Sequence, residues 1–195
     1  LNEASGCPVT WTALLAGAAI NGGTAAEQLA RSRELVAQGH NVMPQVTPRA
    51  LNFEFQLRAP FVFEAMRMFK PVSSADHEGK KVIYQDPEFR AAFWERMSTK
   101  APKTFFESFR GTVISEIPGR TDLDEMNLFE LAEREGKTPV ETMFDIGLES
   151  DLKARFRMPV ANHEEDEVEE LLHCKDTVIG LSDAGAHASQ LCDAC

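Results

Sequence analysis

The pattern that most limits what this chain can fold into is an alternation of strand and helix signals at its two ends. Residues 8–14 follow a Gly and a Pro and mix β-branched with aromatic side chains, as a short strand does. Beyond Asn21-Gly22-Gly23, Thr24 and Glu27 stand at capping-box spacing. Ala25, Leu29, Ser32 and Val36 then recur at helical intervals, which predicts a helix over 24–38 with one apolar or small face. Gly39 stops it, and residues 41–47 form a second strand ended by Pro48. Strand, helix, strand with short joints is a βαβ unit, whose strands run parallel with a right-handed crossover.

The alternation returns over 154–161 (strand), 163–173 (helix) and 177–181 (strand). Two such units predict an α/β fold with at least four parallel strands, and an open sheet and part of a (β/α)₈ barrel both fit. A whole barrel takes about 250 residues. Less its middle, this chain supplies about half of one, with two open sheet edges that a partner or a second copy has to cover.

The middle reads differently. Residues 60–70, 86–100 and 105–109 are rich in Phe, Met and Trp, with Pro and charged residues between them. Phe61, Met66, Met68, Phe69, Phe89, Phe93 and Trp94 either floor a pocket or pack a core, and the stretch is predicted to be a helical insertion or lid. A short strand over 112–117 follows. Two helices come next: 124–135, ended by Gly136, and 139–148, with Thr138 as N-cap and Pro139 at the first helical position. The expected organisation is a barrel segment over 1–59, a mainly helical insertion with connecting helices over 60–152, and a second barrel segment over 153–195.

Charge narrows the partners. With 20 Lys and Arg against 31 Asp and Glu in 195 residues the net charge is −11, which favours neither nucleic acid nor an anionic membrane surface. The longest apolar stretch, 11–20, is broken by Thr12 and Gly17 and is too short to span a bilayer, and no basic leader marks a signal peptide. The start at Leu1 and the stop at Cys195, directly after a motif, read as a piece of something longer. Four unevenly spaced cysteines point to a reducing, cytoplasmic setting. Cys192 and Cys195 form a CxxC without a matching pair, either reduced thiols or, with His187, a mixed zinc site. The acidic run of Glu164, Glu165, Asp166, Glu167, Glu169 and Glu170 sits where a helix N-terminus favours negative charge, and it reads as a solvated face.

In either α/β architecture reactive groups collect at the C-terminal ends of the strands. That rule selects Thr12, then Gln45, Thr47 and Arg49, then Asn162 and His163, and finally Ser182 and Asp183. Among these only Asp183 and His163 act readily as a base. Asp183 follows a buried apolar strand, so it can ligate a metal and take a proton from bound water, or it can simply cap a turn.

Ser182-Asp183-Ala184-Gly185-Ala186-His187, followed by Gln190-Leu191-Cys192-Asp193-Ala194, resembles the last barrel strand of the D-aminoacylase (N-acyl-D-amino-acid deacylase) branch of the amidohydrolase superfamily. Three other segments resemble that branch in its order: 6–14 its fifth strand, 42–49 its sixth, and 128–139 the helical pair before its seventh. The resemblance implies the C-terminal half of a TIM-like amidohydrolase barrel with a helical insertion over its mouth. It implies zinc and an N-acyl amino acid as the small-molecule substrate. Asp183 becomes the metal-side carboxylate and general base, with His187, Ser182, Arg49 and Gln45 as substrate-binding residues. It also implies that strands one to four belong to an N-terminal half-barrel or are replaced by self-association. The segments Trp11-Thr12-Ala13 and Pro44-Gln45-Val46 depart from the branch, lacking the metal-ligating His that its fifth and sixth strands carry. Two rivals stand beside this reading. One is a non-catalytic module that oligomerises through exposed edges; the other is an open sheet binding a nucleotide, which wants a glycine-rich loop longer than Asn21-Gly22-Gly23-Thr24.

Overall fold

A computed structural model describes residues 1–17, 23–180 and 191–192. Its elements are α1 (Asn2–Ser5), β1 (Val9–Trp11), α2 (Ala25–Ala37), β2 (Val42–Val46), β3 (Leu51–Gln56), α3 (Lys70–Ser74), α4 (His77–Gln85), α5 (Pro87–Glu95), α6 (Lys103–Arg110), β4 (Val113–Glu116), β5 (Met126–Asn127), α7 (Leu128–Glu135), α8 (Pro139–Glu149), β6 (Arg155–Ala161), α9 (Glu165–His173), β7 (Val178–Ile179) and β8 (Leu191–Cys192). The chain divides into two compact units, one of Leu1–Asn52 with Pro159–Cys195, the other of Phe53–Met158. The fold is mixed α/β, with a parallel sheet and an antiparallel one, and the described residues form no closed barrel.

The first unit is built on parallel strands in the order β1-β2-β7. Val9, Thr10 and Trp11 stand opposite Val42, Met43 and Pro44, while Gln45 and Val46 stand opposite Val178 and Ile179. The predicted capping box starts α2: Thr24 Oγ1 accepts from the Glu27 amide, and Glu27 Oε2 accepts from the Thr24 amide at 2.8 Å. Ala25, Leu29 and Ser32 are buried as expected, but Val36 is 52% exposed. The last turn of α2 faces an open cleft at the start of β2, which Val36 lines with Arg33, His40 and Val42. Gly39 at φ 94° makes the predicted stop. Leu14, Ala16, Leu29, Val46, Val168 and Leu171 pack the core between α2, α9 and the sheet.

The expectation of four parallel strands is corrected at β6. Val113, Ile114 and Glu116 of β4 pair antiparallel with Arg157, Phe156 and Arg155, and β2 pairs directly with β7, so 154–181 is not a second βαβ unit within one sheet. The alternation of the strand explains the difference. Phe156 and Met158 are buried while Arg155 and Arg157 face out, which suits a half-solvated antiparallel strand rather than a parallel one covered on both faces. Arg155 reaches Glu54 at 2.7 Å and Glu116 at 3.1 Å, and Arg157 pairs with Glu125.

Within the second unit the antiparallel strands run in the order β5-β4-β6-β3. Strand β3 was not expected, although Phe53 and Phe55 alternate with Asn52, Glu54 and Gln56. The helix expected from 124 begins at Leu128 instead. Glu125 takes a left-handed φ of 62°, residues 126–127 pair with β4, and the Asn127 side chain accepts from the Phe129 and Glu130 amides. Thr138 is the predicted N-cap of α8, and with Glu141 it also closes a capping box. The aromatic residues of this unit mainly pack a core. Phe63 is fully buried with ring centroids 5.2 Å from Phe55, 5.4 Å from Phe69 and 5.0 Å from Phe93. Tyr84 stacks on Phe144 and donates its hydroxyl to the Leu57 carbonyl, and burial pushes its pKa up. Among the described residues no helix is long and apolar enough to cross a membrane.

Candidate functional site

In the first unit the segments that leave the C-terminal ends of the strands are tied together by Asn162. Its Oδ1 accepts from the Ala16 amide at 2.6 Å, and its Nδ2 donates to the Thr47 carbonyl at 3.0 Å. Its own amide donates to the Ala16 carbonyl at 2.9 Å. Asn162 is buried and has φ 56°, a left-handed conformation that asparagine adopts more readily than most residues. The Leu14 amide donates to the Gln45 carbonyl and the Gly180 amide to that of Val46, so the three parallel strands stay in register up to their ends.

His163 follows directly. Its ring is 26% exposed, Nε2 lies 3.5 Å from Glu164 Oε1, and Nδ1 is buried without a hydrogen-bond partner among the described residues. An imidazole held this way has one nitrogen beside a carboxylate and one available to a ligand or a proton. The Gly17 amide donates to Glu167 Oε2 at 2.8 Å, and a Cβ on Gly17 would come within 3.1 Å of Glu164 Cγ and 3.7 Å of His163 Cε1. Glycine there, at φ 69°, lets the turn after β1 lie against the start of α9. The rest of the acidic run is largely exposed, as a solvated face, while Val168 and Leu171 are buried.

Gln45, on β2, donates Nε2 to Thr10 Oγ1 at 2.9 Å. A Cβ at Gly180 would meet Gln45 Oε1 at 2.5 Å, so the glycine leaves the room this side chain occupies beside β7. Arg49 is exposed on the turn after β2. Ser182, Asp183 and His187 lie outside the described residues, as does the side chain of Cys192 and all of Cys195. The described strand ends therefore bring Asn162, His163, Glu164 and Glu167 to the turn at Gly17. They do not by themselves compose a zinc site, because they offer one unpartnered imidazole nitrogen and no cluster of three ligating groups. Sequence position had placed Asn162 and His163 at a strand end, but nothing in the sequence marked Asn162 as the tie.

A second cluster, in the other unit, has no sequence signal because its members are far apart. His77, Glu78 and Asp151 bring potential ligand atoms within 4.8 Å of one another. Lys81 Nζ already stands among them, 3.1 Å from both Glu78 Oε1 and Asp151 Oδ1, while His77 Nε2 lies 2.8 Å from the same Asp151 oxygen. The ammonium occupies the place of a cation, so the cluster joins α4 to the turn after α8 as an ion-pair network. His77, with Lys81 and Lys153, holds the Asp151 carboxyl well below the usual carboxylate range.

Two predictions follow from these geometries. Asn162→Ala leaves the Ala16 amide and the Thr47 carbonyl without partners and strains a left-handed backbone, so unfolding stability falls by about 2–4 kcal/mol. Asn162→Gly recovers only about 1 kcal/mol of this in urea denaturation, because it relieves the backbone alone. The depressed Asp151 carboxyl stabilises the fold fully above about pH 4, where the unfolded group is ionised, and loses that contribution as pH falls. The urea midpoints of wild type and Asp151→Asn accordingly differ near neutrality and converge in acid; a gap that stays constant down to about pH 2 contradicts the assignment.

No protein-family model, no curated protein and no solved structure matches this chain.

Proposed function

We propose that this chain is part of a metal-dependent amidohydrolase resembling the N-acyl-D-amino-acid deacylases, and that it contributes to hydrolysis of an N-acyl amide bond. The observation that carries the reading is the convergence of parallel strand ends in one unit. The segments after β1 and β2 meet at Asn162, with His163 beside them, and in the sequence β7 and Gly180 precede Ser182-Asp183-Ala184-Gly185-Ala186-His187. A base belongs at that end of a parallel sheet, where loops and helix N-termini surround a substrate.

In this reading β1, β2, β6 and β7 stand for the fifth to eighth strands of a (β/α)₈ barrel, from which β6 departs by its antiparallel pairing with β4, and the helical residues between 60 and 152 for its insertion. Asn162, at the end of β6, reaches Thr47 at the end of β2, as a seventh strand beside a sixth would; the direct pairing of β2 with β7 departs from that order. Zinc belongs to the proposal through the resemblance and Asp183, and when bound it supplies a polarised water. The work assigned to the chain's own residues is acid–base chemistry and positioning. The Asp183 carboxylate takes the proton of the attacking water and delivers it to the leaving amine. The Arg49 guanidinium suits the carboxylate of an N-acyl amino acid, and Gln45, Ser182 and His187 supply hydrogen bonds that orient the amide. A cytoplasmic site of action goes with the same proposal.

The rival reading, a non-catalytic module that self-associates through a sheet edge, has an observation of its own. In the order β1-β2-β7 the last strand is an edge among the described residues, and its Val178 and Ile179 are 37% and 65% exposed. Turnover of N-acyl-D-amino acids by the natural protein that carries these residues separates the two. The proposal expects hydrolysis that drops by at least about 100-fold in kcat on Asp183→Ala, with folding retained. Unchanged turnover in Asp183→Ala overturns the role given to Asp183, and no turnover together with concentration-dependent association favours the module.

A further inference from the structure

The second unit carries an open groove of about 790 Å³ whose apolar lining is Val62, Met66, Met68 and Phe105. Its volume falls within the range of about 300–1,000 Å³ typical of small-molecule sites. The four residues are half-buried, while Phe63 and Phe69 beside them in sequence are fully buried, so the groove lies against the aromatic core. Phe105 touches that core edge-on, 6.5 Å between its ring centroid and that of Phe63. The backbone here leaves regular α-helix twice. Arg67–Phe69 is a 3₁₀ turn, and Arg96–Lys100 is a π turn, a distortion frequent at functional positions.

Arg67 and Arg96 also line this groove. In a chain with 31 acidic residues, neither guanidinium pairs with a carboxylate among the described residues. Arg96 gives one Nη1 bond to the Lys100 carbonyl at 2.5 Å, which leaves other donors of its fork. The adjacent acid, Glu95, is engaged by Lys100 at 2.6 Å, and Glu64 does not line the groove. The result is a groove lined by apolar side chains and two cationic residues, in a molecule that is otherwise strongly acidic.

We infer that this groove binds a small amphipathic carboxylate: an acyl chain on the Met66, Met68 and Phe105 surface, with its carboxylate at Arg67 and Arg96. Guanidinium forks match a carboxylate in geometry as well as charge. Methionine side chains are flexible and polarisable, so they adapt to chains of different length. A compact anion such as phosphate finds no use for the apolar lining, and a neutral amphiphile finds no use for the cations. The site lies wholly in the second unit and does not rest on the amide-hydrolysis proposal.

The test is calorimetric titration of the chain with decanoate below its micelle concentration, with decanamide and inorganic phosphate in parallel. The inference expects one decanoate per chain, bound at least about tenfold more tightly than decanamide, with no competition from phosphate. Arg67→Gln is the informative variant, because Arg67 makes no hydrogen bond or ion pair among the described residues and its loss leaves the fold intact by circular dichroism. It lowers decanoate affinity by about fivefold or more while leaving decanamide unchanged. Equal binding of decanoate and decanamide, displacement by phosphate, wild-type affinity in Arg67→Gln, or absence of binding each overturn the inference. So does a dimer that Met68→Asp dissociates, since a second copy then fills the groove.

Discussion

The first unit depends on one side chain that completes two backbones at once. Asn162 supplies an acceptor to Ala16 and a donor to Thr47 from a buried position. The segments after β1 and β2 have left their strands there, and their polar groups need partners in a place water does not reach. Few residues can replace it. The position demands a donor and an acceptor on a short stem together with a left-handed backbone, a combination that asparagine meets and aspartate, serine or glycine meet only in part. The placement of His163, Glu164 and Glu167 against Gly17 follows, because they are the next residues along the same tied segment.

The second unit is held differently. Its centre is a continuous set of aromatic rings, from Phe55 and Phe156 through Phe63, Phe69 and Phe93 to Phe144 and Tyr84, most of them in edge or tilted arrangements. Such rings give large buried areas to short helices that have little stability of their own. Among its polar groups Tyr84 finds the Leu57 carbonyl and Glu54 collects both Ser115 and Arg155 on the sheet, while the buried hydroxyls of Thr112 and Thr142 have no hydrogen-bond partner among the described residues. Tight packing behind and half-exposed methionines in front is the contrast that makes the groove at Met66 and Met68 stand out.

Local signals in the sequence translated well where the chemistry is local. Thr24 with Glu27 and Thr138 with Glu141 form capping boxes, and Gly39 and Gly136 take the positive φ that ends a helix. Pairing direction was not legible. The strand over 155–161 could be recognised, but its partner is chosen by which face is covered, and the Arg-Phe-Arg-Met alternation signals a half-solvated strand only once its neighbours are known. β3 falls in the stretch between Pro48 and the aromatic insertion from residue 60, for which no element was predicted. For the site, the rule that chemistry gathers at strand ends found Asn162 and His163, yet the role of Asn162 comes from contacts 115 and 146 residues away in sequence. No spacing pattern encodes a contact of that kind. The cluster of His77, Lys81 and Asp151 was hidden for the same reason.

The claim on which the site rests is that Asn162 closes the strand ends, and it is tested most directly by amide hydrogen exchange of the native protein observed by NMR. Ala16 sits outside any strand, and among the described residues the acceptor of its amide is the side-chain oxygen Oδ1 of Asn162. The expected result is exchange as slow as that of the Val46 amide inside β2. Exchange at the rate of an open surface loop would contradict the tie, and with it the arrangement of His163 that depends on it.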